Sequence, residues 1–178
     1  MIENERNIRT ELVIEAGKAM MRAARTAPKG KGIDQLEIAL VQGESIKELA
    51  REMLQLDYRG GKYTFTRDSN NLLQAQCVVL IGYRACNLGL NCMHCGYPTC
   101  AAKPKEVPCA MNAIDVGVAV GSACATAADW RVDTRVMYSA GLAAQKMGLL
   151  PNCSLVTAIP VSASSKNPFF DRKPTPSK

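Results

Sequence analysis

The sequence contains few of the residues that several common protein classes require, and each shortage excludes a class of function. It has a single histidine, His94, among 178 residues, so no Ser/His or Cys/His catalytic pair can be assembled away from that position. Aromatic residues make up only 5% of the chain, and the basic residues are dispersed among acidic ones despite a formal net charge of +6. We therefore expect neither a histidine-dependent hydrolase nor a nucleic-acid-binding protein.

Long apolar runs and an export signal are also missing. The longest apolar runs, such as residues 77–81, are far shorter than the ~20 residues that a bilayer-crossing helix needs. The N-terminus is polar and acidic, unlike a signal or transit peptide. With 47% hydrophobic and 21% charged residues, the composition is typical of a globular domain. The sequence thus predicts one cytoplasmic domain, residues 1–178, with no membrane partner.

Cysteine, by contrast, is abundant and unevenly distributed. Cys92, Cys95, Cys100 and Cys109 follow a C-x2-C-x4-C-x8-C spacing inside a predicted metal loop, residues 84–110. In a chain without an export signal, such a cluster favours metal binding over disulfide bonds. Four thiolates suit either a tetrahedral zinc ion or a [4Fe-4S] cluster. Only one C-x2-C pair is present, followed by two single cysteines, which favours the cluster and leaves zinc as the alternative.

The other four cysteines lie outside this spacing. Cys77, Cys124 and Cys153 have small or apolar neighbours, and we interpret them as buried structural residues. Cys86 lies shortly before the loop's first ligand, so it stays open as an alternative to Cys109 or as a redox-active thiol. We expect His94 to be exposed rather than a ligand.

Hydrophobic periodicity predicts helices and strands in irregular alternation, which indicates an α+β domain. Residues Gly117, Gly121 and Ala125, four apart on one predicted helix, give a smooth face that suits close contact with another helix, in the core or across a dimer. The other predicted strands cover residues 36–41, 77–82 and 155–161, and an extended segment covers residues 63–66. In the first half of the chain the predicted helices are an amphipathic one from about Ile8 to Pro28, one that starts at a Ser45/Glu48 capping box and is ended by residues 57–61, and a short one over 71–75 capped by Asp68. In the second half, one helix starts at Asp115, and another is capped by Asp133, has Val136 on its inner face and ends at Gly148.

The amino-acid sequence around the cysteines resembles that of a known kind of domain. Residues 88–100, with Cys92-x-x-Cys95-Gly96 and Cys100, resemble the small iron-sulfur domain of corrinoid iron-sulfur proteins and of Rnf-type electron-transport subunits. In that domain such a run and a later cysteine hold a [4Fe-4S] cluster. The resemblance therefore implies an iron-sulfur cluster in this loop.

A second resemblance lies outside the cysteines. Residues 23–41, with Ala27-Pro28 after a helix, and residues 156–162 resemble segments of nitroreductase-like flavoproteins in the same order. That family implies helices around a central sheet, a homodimer, and FMN bound at the subunit boundary. Its N-terminal phosphate clamp has no clear match here, so a bound FMN phosphate would depend on a different set of cations: Arg25, Lys29, Lys31, Lys166 and Arg172.

The chain as a whole is similar to a group of bacterial and archaeal proteins that contain a ferredoxin domain. In that group the cysteine run, the segment over residues 115–123 and the closing segment over residues 165–172 occur together. The resemblance implies an iron-sulfur cluster and no particular reaction. We therefore expect, as our own hypothesis, a cytoplasmic redox protein whose cluster exchanges electrons with a flavin or an unknown protein partner. The alternative is a non-enzymatic iron-sulfur or zinc module with a sensing or scaffolding role.

Overall fold

Five helices surround a central antiparallel sheet in the computed structural model, which describes residues 2–56 and 62–170. A short 3-10 turn over Gly30–Gly32 precedes the first strand. The helices are α1 (Glu5–Thr26), α2 (Glu44–Gln55), α3 (Lys62–Leu72), α4 (Ala110–Asp129) and α5 (Tyr138–Lys146), and the strands are β1 (Leu36–Gln42), β2 (Cys77–Arg84), β3 (Asp133–Thr134) and β4 (Cys153–Ser162).

The sheet has the strand order β1-β2-β4-β3, and β2 pairs antiparallel with both β1 and β4. Successive side chains of β2 point to opposite faces. Val78 and Leu80 belong to a core shared with α2, α3 and α5, whereas Val79 and Ile81 belong to a core shared with α1 and α4. Because both faces are covered, β2 is apolar throughout rather than alternating. The predicted α+β architecture is confirmed.

Helix α4 is long and apolar enough, by length and composition alone, to cross a membrane. The sequence analysis did not identify this helix as long and apolar enough to cross a membrane, because Asn112 and Asp115 interrupt its apolar residues. In the structure both of these polar residues are buried. The helix packs along α1, where the Ser122 hydroxyl donates to the Ala23 carbonyl at 3.0 Å. One side of α4 thus belongs to the protein core.

Helix α3 replaces the extended segment predicted over residues 63–66 and the short helix predicted to follow Asp68. The β-branched and aromatic residues of this segment favour strands by propensity. Burial decides otherwise, because Phe65 and Ser69, one helical turn apart, both lie in the interior. Asp68 is not a cap but a buried acceptor for the Ser139 hydroxyl, at 2.6 Å. The end predicted for α2 at residues 57–61 lies outside the described residues.

Three predicted helix starts are wrong. Helix α2 begins at Glu44 after Gly43, whose φ of 62° supplies the turn, and no side chain caps it. Asp133 lies in β3, because the chain stays extended until Met137 exchanges backbone hydrogen bonds with Ala158, and Val136 is 48% exposed. Helix α4 begins at Ala110, ahead of the predicted Asp115.

Gly141 marks the closest approach of α5 to β4. A Cβ atom at this position would lie 2.0 Å from the Val156 carbonyl oxygen. We expect Gly141→Ala to destabilise the protein by about 3 kcal/mol, because backbone must move to make room. Urea unfolding would measure this against Thr66→Ala, an exposed helical substitution expected to change stability by no more than about 0.5 kcal/mol. Equal midpoints for the two variants would contradict the expectation.

Candidate metal centre

The four candidate ligands lie in an irregular loop between the central strand and α4. Residues 85–109 contain no helix or strand, and Cys109 is the N-cap residue of α4. Left-handed backbone conformations at Met93 (φ 64°) and Gly96 (φ 82°) turn the chain at the Cys92/Cys95 pair. The Gly96 N–H donates to the Met93 carbonyl at 2.8 Å. Two rigid core elements therefore hold the ends of this loop.

All four candidate ligands line a single pocket. Cys92, Cys95 and Cys100 are half-buried, and Cys109 is buried. His94 is exposed and does not line the pocket, in agreement with the sequence analysis. The walls are mostly apolar. The other lining residues are Asn87, Leu88, Leu90, Asn91, Met93, Tyr97, Lys103, Ala110 and Met111.

Two asparagines fix the position of Cys100. The Asn91 side-chain oxygen accepts from the Cys100 N–H at 2.8 Å, and the Asn91 N–H points back at the Cys100 sulfur at 3.3 Å. Asn87 donates to the Cys100 carbonyl at 3.0 Å. Asn91 thus supplies a backbone donor to a candidate ligand sulfur. Sequence reasoning missed both asparagines, although Asn91 immediately precedes the first ligand.

The structure separates the two candidates for the fourth ligand. Cys109 lines the pocket with the other three, and its N–H donates to the Tyr83 hydroxyl at 3.2 Å, which ties it to β2. Cys86 does not line this pocket but a neighbouring cleft, which Cys109 also lines. There the Asn112 side-chain amide donates to the Cys86 carbonyl at 2.9 Å and lies 3.7 Å from its sulfur. This placement favours Cys109.

The donor set supplies the ligands that either a zinc ion or a cluster requires. A zinc ion needs its sulfur ligands about 2.3 Å from one point. A [4Fe-4S] cluster takes one thiolate on each of four irons, so its ligands surround a larger volume. Among residues 2–56 and 62–170, no three His, Cys, Asp or Glu side chains lie close enough together to hold a single ion. The four thiols nevertheless line one pocket, as the ligands of a shared group must.

The remaining thiols behave as structural residues. Cys77 is fully buried on β2, and burial raises the pKa of its thiol to about 12. Burial also raises the pKa of the Cys124 and Cys153 thiols above their usual value. A raised pKa keeps the thiol protonated and therefore a poor ligand and nucleophile.

The cations predicted to hold a flavin phosphate are dispersed or already engaged. Arg25 pairs with Asp34 at 2.7 Å and donates to the Leu36 carbonyl at 2.8 Å. Lys29 donates to the Ala24, Arg25 and Ala27 carbonyls and so closes the end of α1. Lys31 donates to the Leu88 carbonyl at 3.4 Å. Lys166 is exposed and follows the opposite end of the sheet, and Arg172 lies outside the described residues.

The backbone around Gly30 is also occupied. Its N–H donates to the buried Asp115 carboxylate at 2.8 Å, and a Cβ at Gly30 would lie 3.2 Å from the Leu88 side chain. Residues 29–32 therefore join α1 to α4 and to the cysteine loop.

Comparison with known proteins places this site in context. Residues 105–172 match the family described as uncharacterized proteins containing a ferredoxin domain. An uncharacterized protein from Archaeoglobus fulgidus is 38% identical over 184 residues, which covers 98% of this chain and 99% of that protein. The match therefore spans nearly the full length of both chains.

Two solved structures share the fold at low sequence identity. A nitroreductase with bound FMN from Desulfitobacterium hafniense has a TM-score of 0.59 and 11% identity, over 99% of this chain and 96% of that chain. A putative NAD(P)H:FMN oxidoreductase from Staphylococcus epidermidis has a TM-score of 0.60 and 15% identity, over 92% and 82%. The fold is thus nitroreductase-like, as predicted. Taken with the full-length relative and the matched segment, the chain belongs to the family of uncharacterized proteins that contain a ferredoxin domain.

Proposed function

We propose that this protein is an iron-sulfur redox protein in which Cys92, Cys95, Cys100 and Cys109 hold a [4Fe-4S] cluster. The observation that carries the proposal is that these four thiols line one pocket with mostly apolar walls. The bound cluster would supply one-electron transfer. All eight cysteines are free thiols, which suits a reducing compartment such as the cytoplasm.

The chain's own residues would bind and tune this group. Four thiolates provide the ligands, and the Asn91 N–H donates toward the Cys100 sulfur. Hydrogen bonds to ligand sulfurs and exclusion of solvent are two of the features that set cluster potentials. Leu88, at 5% exposed, and Tyr83, at 1%, hold the loop against the core. The loop is therefore anchored to rigid elements close to its ligands.

The test is chemical analysis of the protein purified without oxygen. We expect a brown protein with broad visible absorption and about four irons and four sulfides per chain. Iron and acid-labile sulfide assays, zinc analysis and a visible spectrum on one sample would measure this. Stoichiometric zinc without iron or sulfide would contradict the cluster and favour the zinc module as the function of the loop.

A flavin-dependent oxidoreductase is the second candidate, favoured by the nitroreductase-like fold. Against it, Arg25 and Lys29 are engaged within the chain, and Lys166 does not approach them. Extraction of flavin from the same sample separates the two candidates. One flavin per chain would favour a flavoprotein in which the cluster and flavin exchange electrons, and a full cluster without flavin would favour electron transfer to a protein partner.

A further inference from the structure

Lys103 is a buried cation at the wall of the cysteine pocket. Its side chain lines the pocket with Cys92, Cys95, Cys100 and Cys109, and the residue is only 8% exposed. It is the one charged residue, thiols aside, among those that line this pocket. The sequence analysis did not identify Lys103, because nothing in the spacing of the loop distinguishes it from Lys105.

The charge of Lys103 has no carboxylate partner in the part of the chain that the structure describes. Its ammonium group donates to the Pro104 carbonyl at 3.1 Å and to the Val107 carbonyl. Glu106 and Lys103 both line the neighbouring cleft, but the described ion pairs do not include one between them. An ammonium group has three N–H donors. The two carbonyls accept from two of these donors, so one donor has no acceptor among these contacts, and no negative charge offsets the positive charge. A buried charge without a counter-charge is costly.

Four thiolates with a [4Fe-4S] core carry a net negative charge, and reduction adds one more electron and one more negative charge. We infer that Lys103 is the charge partner of this cluster, an inference that rests on the function proposed above. Its ammonium stabilises the reduced form more than the oxidised form and so raises the reduction potential. Because the pocket walls are mostly apolar, the attraction is weakly screened. Lys103 is thus a tuning residue rather than a ligand.

The test compares three single variants of the full chain with the wild type. Lys103→Gln removes the charge but retains amide donors for the carbonyls, and Lys103→Arg retains the charge. Lys105→Gln is the matched control, since Lys105 is exposed and lines the cleft but not the pocket. Iron and sulfide are assayed first. The cluster is then titrated with dithionite, the one-electron donor in this measurement, while its potential is followed by visible and EPR spectra.

We expect Lys103→Gln to bind about four irons but to lower the equilibrium constant for reduction at least tenfold, a shift of about 59 mV to more negative potential. Lys103→Arg and Lys105→Gln should stay close to the wild type. Loss of the cluster in Lys103→Gln with retention in Lys103→Arg would also support the charge role. A full cluster with an unchanged potential in Lys103→Gln overturns it, as does cluster loss in both Lys103 variants. A wild-type protein without iron would instead contradict the proposed function.

Discussion

Replacement of Cys100 by alanine is expected to abolish cluster binding. Cys100 lines the pocket with the other three ligands, and the loop is built around it, because Asn87 and Asn91 both hydrogen-bond to it. Removing one thiolate of four leaves one iron without a protein ligand. We expect the iron content to fall from about four per chain to near zero, together with the visible absorption. A cluster that stabilises the folded state also makes Cys100→Ala melt at lower temperature.

A matched control is Cys124→Ala, which removes a half-buried thiol outside the loop. It should retain iron, sulfide and absorption at the wild-type level. Retention of a full cluster by Cys100→Ala would show that this cysteine is not a ligand. Cluster loss in both variants would point to a folding defect, which circular dichroism of the two proteins would reveal.

A further pair of variants tests whether Cys109 or Cys86 is the fourth ligand. Cys109→Ala should lose the cluster, because Cys109 lines the pocket, whereas Cys86→Ala should retain it, because Cys86 lies in the adjoining cleft. The opposite outcome would make Cys86 the ligand. Iron and sulfide assays on the two purified variants provide the measurement.

The elements that could be predicted from the sequence are those that depend on local pattern. Helix α1 and strands β1, β2 and β4 follow from hydrophobic periodicity, and the cysteine spacing predicts a metal loop without any knowledge of the fold. Gly148 was correctly predicted as the glycine after α5, where its φ is 69°. In each case the determining contacts lie within a few residues along the chain.

The features that could not be predicted depend on contacts between distant segments. Helix α3 forms against strand propensity because Asp68 and Ser139, far apart in sequence, meet in the interior. The Gly30 N–H donates to the Asp115 carboxylate, which lies 85 residues further along the chain. Lys103 differs from Lys105 only in which one the folded loop buries. Sequence patterns carry no information about these pairings.

The outer face of α4 exposes two large apolar side chains. Ile114 is 50% exposed and Val118 is 41% exposed, and the smooth stripe of Gly117 and Gly121 lies beside them. A Cβ atom at either glycine would meet no atom within 4 Å. Packing inside the chain therefore does not account for these glycines. We propose that a second copy of the chain packs against this face and forms a homodimer.

Replacement of Gly121 by leucine is expected to disrupt this dimer. A Cβ atom at this position meets nothing within 4 Å in its own chain, so we expect the cost to fall on the interface, at about 1–3 kcal/mol for each of the two symmetric sites. Light scattering should give twice the chain mass of 19.2 kDa for the wild type and 19.2 kDa for the variant.

Glu48→Leu, which adds the same side chain to an exposed position of α2 on the other side of the sheet, should stay dimeric. An interface of the obligate kind buries upward of ~2,000 Å2, so the wild type should stay dimeric on dilution. A stable wild-type monomer, or an unchanged dimer in Gly121→Leu, would remove α4 as the site of association and leave the cysteine pocket unaffected, because its ligands all lie in the loop.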